Sequence, residues 1–330
     1  GKAYGGTLGA LTTYRIRAGG LAGRGVLGLI KGGFDLVIGL FKARSLLKRL
    51  EPAAVIGFGG YAAFPTMFAA RQRRIPAALH EQNAVLGRAN RVVASGCQRI
   101  AISYPQVRFL GASANRATLT GMPVRPAVAA MALHPYQPPI AGGPLRLLVL
   151  GGSQGARILS EVIPAALAHL SEDLRSRLHV AQQCRPEDLE AVRAAYAGTG
   201  IDAELESFFS DVPERLADAH LVDCRSGATT IAELTTMGCP SILVPYPHAI
   251  DDHQTANAEA LSTVKGAILM PQSSFTASSL AACLEALLVD ASGLAAMSEC
   301  ARNAGHPDAA ERLADLVAAL AGAKKKEVMS

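Results

Sequence analysis

Short apolar runs alternate with longer amphipathic stretches along most of the chain. The apolar runs that indicate strands lie at 53–57, 76–80, 99–103, 117–120, 145–150 and near 178–183, 202–206, 219–223, 240–245 and 267–270. The stretches with helical periodicity include 26–50, 64–72, 158–170 and 309–320. Buried strands that alternate with helices are typical of parallel sheets covered on both faces, so the pattern predicts an α/β fold with doubly wound sheets.

A segment rich in Pro and Gly, 134–144, separates this series into two halves. Such a segment cannot continue a helix or a central strand, so it predicts a linker. We therefore expect an N-terminal domain over 1–133, a C-terminal domain over 145–308, and a terminal helix and tail over 309–330 that packs back on the N-terminal domain. Doubly wound domains bind ligands at the carboxyl ends of their strands, here the cleft between the two halves.

Composition narrows the class of protein. The 330 residues are 50% hydrophobic and 18% charged, which argues against a disordered chain. The net charge of +5 favours anionic partners such as phosphates or an anionic membrane, but it is too small to indicate nucleic acid. None of the six Cys forms a CxxC pair, so we expect reduced, mostly buried thiols and no metal site. Reduced thiols are typical of a cytosolic protein. No signal peptide is visible, and no apolar run reaches the ~18–20 residues of a spanning helix.

The run CRSGATTIAEL at 224–234 has the character of a strand end, a turn of small residues and a helix start. Thr229 or Thr230 is predicted to cap the helix, and the open N–H groups at its positive end suit a phosphate. Glu233, about one turn into the helix, offers a carboxylate to a sugar diol. For this run alone, an ordinary strand-to-helix turn with a capping box is the alternative.

The run VPYPHAIDDHQTAN at 244–257 ends the next apolar strand. It presents a dense set of polar side chains, namely Asp251, Asp252, His253, Gln254 and Asn257. Because the carboxyl ends of parallel strands share one edge of a sheet, this set and the preceding run together predict a nucleotide-sugar pocket.

Two Gly-rich turns also follow strands, GGSQGA at 151–156 and GFGGY at 57–61. Gly lets the backbone approach a pyrophosphate, so each turn is a candidate anion site, with tight packing as the alternative. A nicotinamide site is disfavoured because the spacing is not GxGxxG and the next strand ends in Gln182-Gln183-Cys184, without a carboxylate for the ribose. A P-loop is excluded because no GK[ST] sequence occurs.

Three further features each allow more than one interpretation. The run HEQN at 80–83 places four polar groups where the cleft is expected, although a lone His is more often structural. Arg125 follows a Gly-x-Pro turn and can reach a phosphate, link the domains or form a surface salt bridge. The basic amphipathic stretch 26–50 fits an anionic membrane surface and equally a core-facing helix with a solvated basic face.

Six motifs lie in order along the chain: GFGGYAAFP (57–65), HEQNAVLGRANR (80–91), GMPVRP (121–126), LLVLGGSQGAR (147–157), CRSGATTIAEL (224–234) and DDHQTANA (251–258). Together they resemble the MurG family of bacterial cell-wall glycosyltransferases, over roughly 15–320. The resemblance implies a GT-B fold, two Rossmann-like domains facing a cleft. It also implies inverting, metal-independent transfer of N-acetylglucosamine from UDP-GlcNAc to the MurNAc 4-hydroxyl of lipid I, an undecaprenyl-diphosphate-linked acceptor. The resemblance implies further that the reaction needs no cofactor and takes place at the cytoplasmic face of the bacterial inner membrane.

The resemblance also implies roles for individual residues. It places Ser153 at the donor diphosphate, Phe209 beside the uracil and Glu233 at the ribose hydroxyls. The other donor contacts fall on Asn83, Arg125, Ala228, Thr229, Thr230, His253 and Gln254. The acceptor diphosphate falls on the loop with Gly59, Gly60 and Tyr61. The membrane-facing patch falls on the helix with Leu29, Ile30, Lys31, Phe34, Phe41 and Lys42.

The chain departs from the family pattern near its start. The family opens with a strand, a Gly-Gly-Thr-Gly-Gly-His loop and a helix, whereas the run 5–10 only imitates that loop, without its His or a preceding apolar strand. Met122 replaces an expected Asn. We therefore expect an intact donor half and a compromised acceptor half. No catalytic base is assigned, and Glu81 is the substitute candidate.

Other functions stay open at this point. One is a donor-binding but inactive fragment, which the departure near the start suggests. Another is a different GT-B enzyme that uses a UDP-sugar, such as an epimerase or an antibiotic glycosyltransferase. The HEQN and GGSQGA runs argue against that class, and a nicotinamide oxidoreductase is more remote.

Overall fold

The computed structural model describes residues 11–16, 26–152 and 156–329, and it describes no side chains for 26–33 and 323–329. The run 5–10 and Ser153 therefore lie outside the described residues. Within them, two parallel sheets flanked by helices form the α/β architecture that the sequence predicts.

The first half contains a four-stranded parallel sheet in the order β1-β2-β3-β4. Its strands are β1 Val55–Gly57, β2 Ala77–Glu81, β3 Arg99–Ile102 and β4 Ala117–Leu119. Its helices are α1 Val26–Leu50, α2 Gly60–Gln72, α3 Arg88–Ala94 and α4 Pro126–Ala130. Helix α1 has the predicted bounds. Helix α2 begins four residues before the predicted start at 64, because Gly59 at a φ of 80° turns the chain directly from the strand into the helix.

The second half contains a six-stranded parallel sheet in the order β10-β9-β8-β5-β6-β7. Its strands are β5 Leu145–Leu150, β6 Leu178–Gln183, β7 Asp202–Glu206, β8 Leu221–Cys224, β9 Ser241–Leu243 and β10 Ile268–Leu269. Its helices are α5 Arg157–Ala168, α6 Glu172–Arg177, α7 Leu189–Tyr196, α8 Val212–Asp218, α9 Ala228–Met237, α10 His253–Thr263, α11 Ala277–Leu288 and α12 Ala291–Asn303. This strand order is that of a Rossmann sheet, whose switch point lies between the first and fourth strands, here β5 and β8.

Apolar packing joins the two halves. One buried cluster combines Val85 and Val128 of the first half with Leu148, Leu234 and Leu261 of the second. The cleft is thus backed by a continuous core, and the polar groups at the strand ends lie along its edge.

The segment 134–144, which the sequence predicts to be a linker, forms no helix or strand. The Tyr136 hydroxyl within it donates to the His220 carbonyl over 2.8 Å. The last helix, α13 Ala309–Met329, is longer than predicted and contacts β2 and β3, so the chain returns to the first half.

Candidate active site

The N-terminus of α9 lies at the switch point of the second sheet. The residue before the helix is Gly227, whereas Thr229 and Thr230 are in the first turn, so the prediction that a Thr caps the helix is wrong. Gly227 takes the extended conformation of a cap residue (φ −65°, ψ 147°) but has no side chain to bond the open N–H groups. Those groups, at the positive end of the helix, therefore suit an anion.

Glu233 lies one turn further along α9 and faces a cation from the other half. Its carboxylate is paired bidentately with Arg125, with Nε to Oε1 at 2.7 Å and Nη2 to Oε2 at 2.9 Å. The Glu233 side chain is 8% exposed and that of Arg125 is 49% exposed. Of the interpretations open from sequence, Arg125 here links the two halves across the cleft.

A cavity of about 320 Å³ opens beside this pair. It lies at the carboxyl ends of β5 and β6, and its lining includes Gly152, Gln183, Phe208, Thr230 and Glu233. A flat apolar ring, backbone groups and a carboxylate together suit a nucleoside.

The structure corrects the assignment of Phe209. Its ring is 4% exposed and packs in the core, with the Arg215 guanidinium 4.0 Å from the ring centroid. The preceding residue, Phe208, is 74% exposed and lines the cavity. The aromatic side chain at the cavity is therefore Phe208 and not Phe209. The sequence could not distinguish them, because two adjacent Phe in a loop carry no periodicity that orients them.

The loop before α10 is held at both ends. The Gln254 side chain accepts a hydrogen bond from the Tyr246 N–H at 2.9 Å, and the His253 Nδ1 lies 2.8 Å from the Ile250 carbonyl. Both side chains therefore stand at the start of α10, on the same edge of the sheet as Gly227.

Cations from α3 also hold this loop. Asp251 pairs with Arg88 at 2.7 Å and with Arg91 at 2.6 Å. Hydrogen bonds from Arg88 and Arg91 hold the pKa of Asp251 below its usual value. Asp251 and Asp252 both have φ near +50°, a left-handed conformation that these contacts maintain.

Asn257 forms a buried joint between the two halves. It is 0% exposed, and its Oδ1 accepts from the Ala84 N–H at 2.8 Å. Its Nδ2 donates to the Asn83 Oδ1 at 3.1 Å and to the Ser226 carbonyl at 3.2 Å. The structure thus brings Asn83 to the turn before α9, as expected for a cleft residue.

Glu81 is not placed to act as a base. It is 1% exposed, and both carboxylate oxygens already accept hydrogen bonds. Oε1 accepts from the N–H and Nδ2 of Asn83, and Oε2 accepts from the Gly87 N–H at 2.9 Å and the Asn90 Nδ2 at 2.6 Å. A buried carboxylate with four donors organises its loop and has no exposed oxygen to receive a substrate proton. Glu81 is therefore not a candidate for the catalytic base.

His80 is likewise structural. It is 1% exposed, and its Nε2 lies 3.0 Å from the Gly121 carbonyl. Burial lowers its pKa, which favours the neutral ring.

The loop assigned to the acceptor diphosphate forms the start of α2. Gly59 precedes the helix, and Gly60 and Tyr61 lie in its first turn. A Cβ on Gly59 would lie 2.9 Å from the Asn90 Nδ2, so a side chain would displace the 80–91 loop. The open N–H groups of this helix start form a second candidate anion site, on the opposite side of the cleft from α9.

Helix α1 buries one face and exposes another. Ala43 and Leu47 are buried, whereas Phe34 and Phe41 are 68% and 70% exposed and Lys42 is exposed beside them. Leu29, Ile30 and Lys31 belong to the same helix, but their side chains lie outside the described residues. Among the described residues no single helix is long and apolar enough to cross a membrane, although α11 and α12 together, bent by 95°, meet the length and composition required.

The described residues contain no cluster of three or more His, Cys, Asp and Glu that could hold a metal. All six Cys are free, and four of them are buried. Burial raises the pKa of the Cys97 and Cys184 thiols to about 11.

The fold and the cleft define a class of protein. Two parallel α/β sheets face each other across a cleft, and one wall carries a helix N-terminus, a carboxylate one turn later and a nucleoside-sized cavity. This is the architecture of a GT-B glycosyltransferase. Residues 146–313 match the glycosyltransferase family 28 C-terminal domain, and residues 9–102 match the family 28 N-terminal domain.

Individual proteins of high sequence identity show which family within this class the chain belongs to. A UDP-N-acetylglucosamine--N-acetylmuramyl-(pentapeptide) pyrophosphoryl-undecaprenol N-acetylglucosamine transferase from Paramagnetospirillum magneticum is 62% identical over 97% of this chain and 86% of that protein. A protein of the same name from Rhodospirillum rubrum is 55% identical over 99% of this chain and 84% of its own length. The crystal structure of Acinetobacter baumannii MurG superposes with a TM-score of 0.73 at 32% identity, covering 86% of this chain and 80% of that one. The chain therefore belongs to the MurG family, as its motifs predict.

More distant structures share the fold alone. A UDP-GlcNAc 2-epimerase from Neisseria meningitidis, bound to UDP-GlcNAc, superposes with a TM-score of 0.60 at 11% identity, covering 89% of this chain and 82% of that one. At this identity the likeness carries no information on activity.

Proposed function

We propose that this chain transfers N-acetylglucosamine from UDP-GlcNAc to the MurNAc 4-hydroxyl of lipid I, which yields lipid II for peptidoglycan. The observation that carries the proposal is 62% identity, over 97% of the chain, to a transferase named for this reaction. The paired anion sites at the starts of α9 and α2, on opposite walls of the cleft, support it, because donor and acceptor each contain a diphosphate.

The donor lies on the wall formed by the second half. Its diphosphate meets the first-turn N–H groups of Ala228, Thr229 and Thr230, and its uracil enters the cavity lined by Phe208. Glu233 takes the ribose hydroxyls. On the other side of the diphosphate, His253 and Gln254 at the start of α10 read the sugar hydroxyls. Ser153 completes the diphosphate site by resemblance alone.

The first half contributes to both substrates. Asn83, fixed by Glu81 and Asn257, and Arg125 face the donor across the cleft. Gly59, Gly60 and Tyr61 at the start of α2 hold the acceptor diphosphate. This arrangement brings the acceptor sugar towards the donor from the opposite wall.

The anomeric configuration is inverted because the acceptor approaches from the wall of the cleft opposite the donor. The acceptor hydroxyl attacks the anomeric carbon on the face away from UDP, the bond to the β-phosphate oxygen breaks, and its electron pair passes to the diphosphate. The N-terminus of α9 stabilises the charge that develops there. The hydroxyl proton must pass to a base, and neither Glu81 nor His80 is exposed to take it.

Calorimetry with UDP-GlcNAc tests the donor assignment. We expect the chain to bind UDP-GlcNAc and Glu233→Ala to weaken binding by about 1–3 kcal/mol, the value of a charged hydrogen bond left unmade. Glu285→Ala, an exposed Glu on α11, serves as control and should bind as the parent does. Absence of binding by the parent chain, or equal affinity of the Glu233 variant, would contradict the assignment.

We further propose that α1 rests on an anionic membrane at the cytoplasmic face of the bacterial inner membrane, where a lipid-linked acceptor resides. The support is the combination of two exposed Phe rings, Phe34 and Phe41, with exposed Lys42 on one helix. Aromatic side chains enter the headgroup region, while Lys contacts anionic lipid. By the resemblance, Leu29, Ile30 and Lys31 belong to the same patch.

Vesicle sedimentation tests the membrane proposal. The double variant Phe34→Ser/Phe41→Ser should lower the partition onto phosphatidylglycerol vesicles about tenfold or more, because each buried Phe contributes about 1.5–3 kcal/mol at most. Ile140→Ser removes a 77% exposed apolar side chain in the linker and should have little effect. Equal loss in both variants, or none in either, would refute a specific role for α1.

A further inference from the structure

The carboxylate assigned to the donor ribose is already occupied. Both oxygens of Glu233 accept from Arg125, at 2.7 and 2.9 Å, in a bidentate pair. A ribose diol would approach the same two oxygens. Ribose binding and the Arg125 pair therefore compete for one group.

The two partners differ in how freely they can move. The Glu233 side chain is 8% exposed and fixed in α9, whereas the Arg125 side chain is 49% exposed. If Arg125 left without a replacement, a nearly buried carboxylate would remain unpaired, which is unfavourable. A ribose diol supplies that replacement, so the carboxylate can exchange partners.

An anion site lies within reach of the released guanidinium. Thr230 precedes Glu233 by three residues and Ala228 by five, which at 1.5 Å per residue places the start of α9 about 5–8 Å away along the helix axis. Arg125 directly precedes Pro126 at the start of α4, so its backbone stays in place while its long side chain swings. A guanidinium pairs with phosphate as readily as with carboxylate.

We propose that Arg125 makes occupation of the ribose carboxylate conditional on a phosphate in the ligand. Without donor, Arg125 covers Glu233. With donor, the ribose takes Glu233 and the diphosphate takes Arg125, so the ion pair is exchanged rather than lost. A nucleoside without phosphate has to break the ion pair between Arg125 and Glu233, and it offers Arg125 no anion in exchange. The inference rests on the proposed donor site and makes Arg125 a specificity-determining residue.

Binding of two ligands to Arg125→Gln tests this. Ligand-observed NMR titrations measure dissociation constants for uridine and for UDP. We expect uridine to bind the variant about two- to fivefold more tightly, since the competing pair is half exposed and contributes about 1 kcal/mol or less. We expect UDP to bind about tenfold more weakly, because a charged contact to phosphate is lost.

The control removes a different ion pair between the halves. Arg108 pairs with Glu259 at 2.7 Å, both side chains are about half exposed, and neither contacts Glu233. Arg108→Gln should leave both dissociation constants unchanged. Melting temperatures check that each variant is folded. Should Arg125→Gln fail to fold, Arg125→Lys, which loses the bidentate geometry, must show shifts of the same signs and smaller size.

The inference requires opposite changes in affinity in the Arg125 variant, tighter binding of uridine and weaker binding of UDP. Uridine affinity that stays constant or falls in the Arg125 variant overturns the inference, even if UDP affinity also falls. A parent chain that binds UDP while the variant shows no change for either ligand overturns it too. If the parent chain does not bind UDP, the proposed donor site itself fails.

Discussion

Asp223→Asn is expected to raise the free energy of unfolding by up to about 4 kcal/mol at pH 7 and to change it little at pH 4. Asp223 lies in the middle of the second sheet, on β8, and is 1% exposed. Neither of its carboxyl oxygens has a hydrogen-bond partner among the described residues. Burial holds its pKa well above the usual value, and the nearby Arg225 offsets this only in part.

The sign follows from proton linkage. The folded protein holds this proton at a pH where the unfolded chain, with a pKa near 3.9, has released it. Stability is therefore fully present below about pH 4 and falls by up to about 1.4 kcal/mol per pH unit until the pH reaches the folded-state pKa. Asn has nearly the same shape and is neutral throughout, so it removes this pH-dependent loss and leaves the packing unchanged.

Denaturant unfolding between pH 4 and pH 8 measures the effect. The stability difference between Asp223→Asn and the parent should widen as the pH rises. Asp315→Asn replaces an exposed Asp on α13 and should show no such widening. An Asp223 variant that is equally destabilised at every pH would mean that the carboxyl group makes favourable contacts in the folded protein.

Glu81→Ala is expected to lower the free energy of unfolding by about 3–5 kcal/mol, the effect of removing one partner from a buried charged network. The substitution leaves the N–H groups of Asn83 and Gly87 and the amide of Asn90 without their acceptor. Because Asn83 is also hydrogen-bonded to Asn257, we expect the affinity for the donor to fall in the same variant. Thermal unfolding and UDP-GlcNAc calorimetry measure the two effects.

Glu81→Gln separates a positioning role from a catalytic one. Gln keeps one acceptor oxygen, so it should restore part of the stability and part of the rate, and the pH profile of kcat should keep its shape. A base would behave differently: in the Gln variant kcat would fall by about 10²–10⁴ and the acidic limb of the profile would disappear. That result would show that Glu81 acts as the catalytic base.

The strands and the fold class could be predicted because buried parallel strands are short apolar runs that local sequence reveals. The strands β5 to β10 fall on the six predicted segments, although β7 alternates charged and apolar residues, and the motifs at the strand ends identified the family. Helix starts were less predictable, since the small turn before α9 offered Thr229 and Thr230 as caps while the chain uses Gly227. Side-chain direction in a loop, as for Phe208 and Phe209, has no periodic signal at all.

The contacts across the cleft could not be predicted from the sequence. Arg125 and Glu233 are 108 residues apart, and Asn83 and Asn257 are 174 apart. Asn83, Arg125 and Glu233 had roles by resemblance, and Asn257 belonged to the polar set predicted for the pocket. Nothing in the spacing of these residues pairs them. Only the folded structure shows that the Glu233 carboxylate is covered by the Arg125 guanidinium, and that Asn83 is tied through Asn257 to the turn before α9.

Analysis of the reaction products is the most direct test of sugar transfer by this chain. The chain is incubated with UDP-GlcNAc and a soluble lipid I analogue, and the products are separated and then identified by mass spectrometry and NMR. The mass shows whether a sugar is added, and NMR shows the position and configuration of the new bond and distinguishes UDP-GlcNAc from its 2-epimer. We expect an acceptor heavier by one N-acetylhexosamine, β-linked at the MurNAc 4-hydroxyl, with one UDP released per transfer. Unchanged acceptor, with UDP-GlcNAc either intact or converted to its 2-epimer, would contradict it.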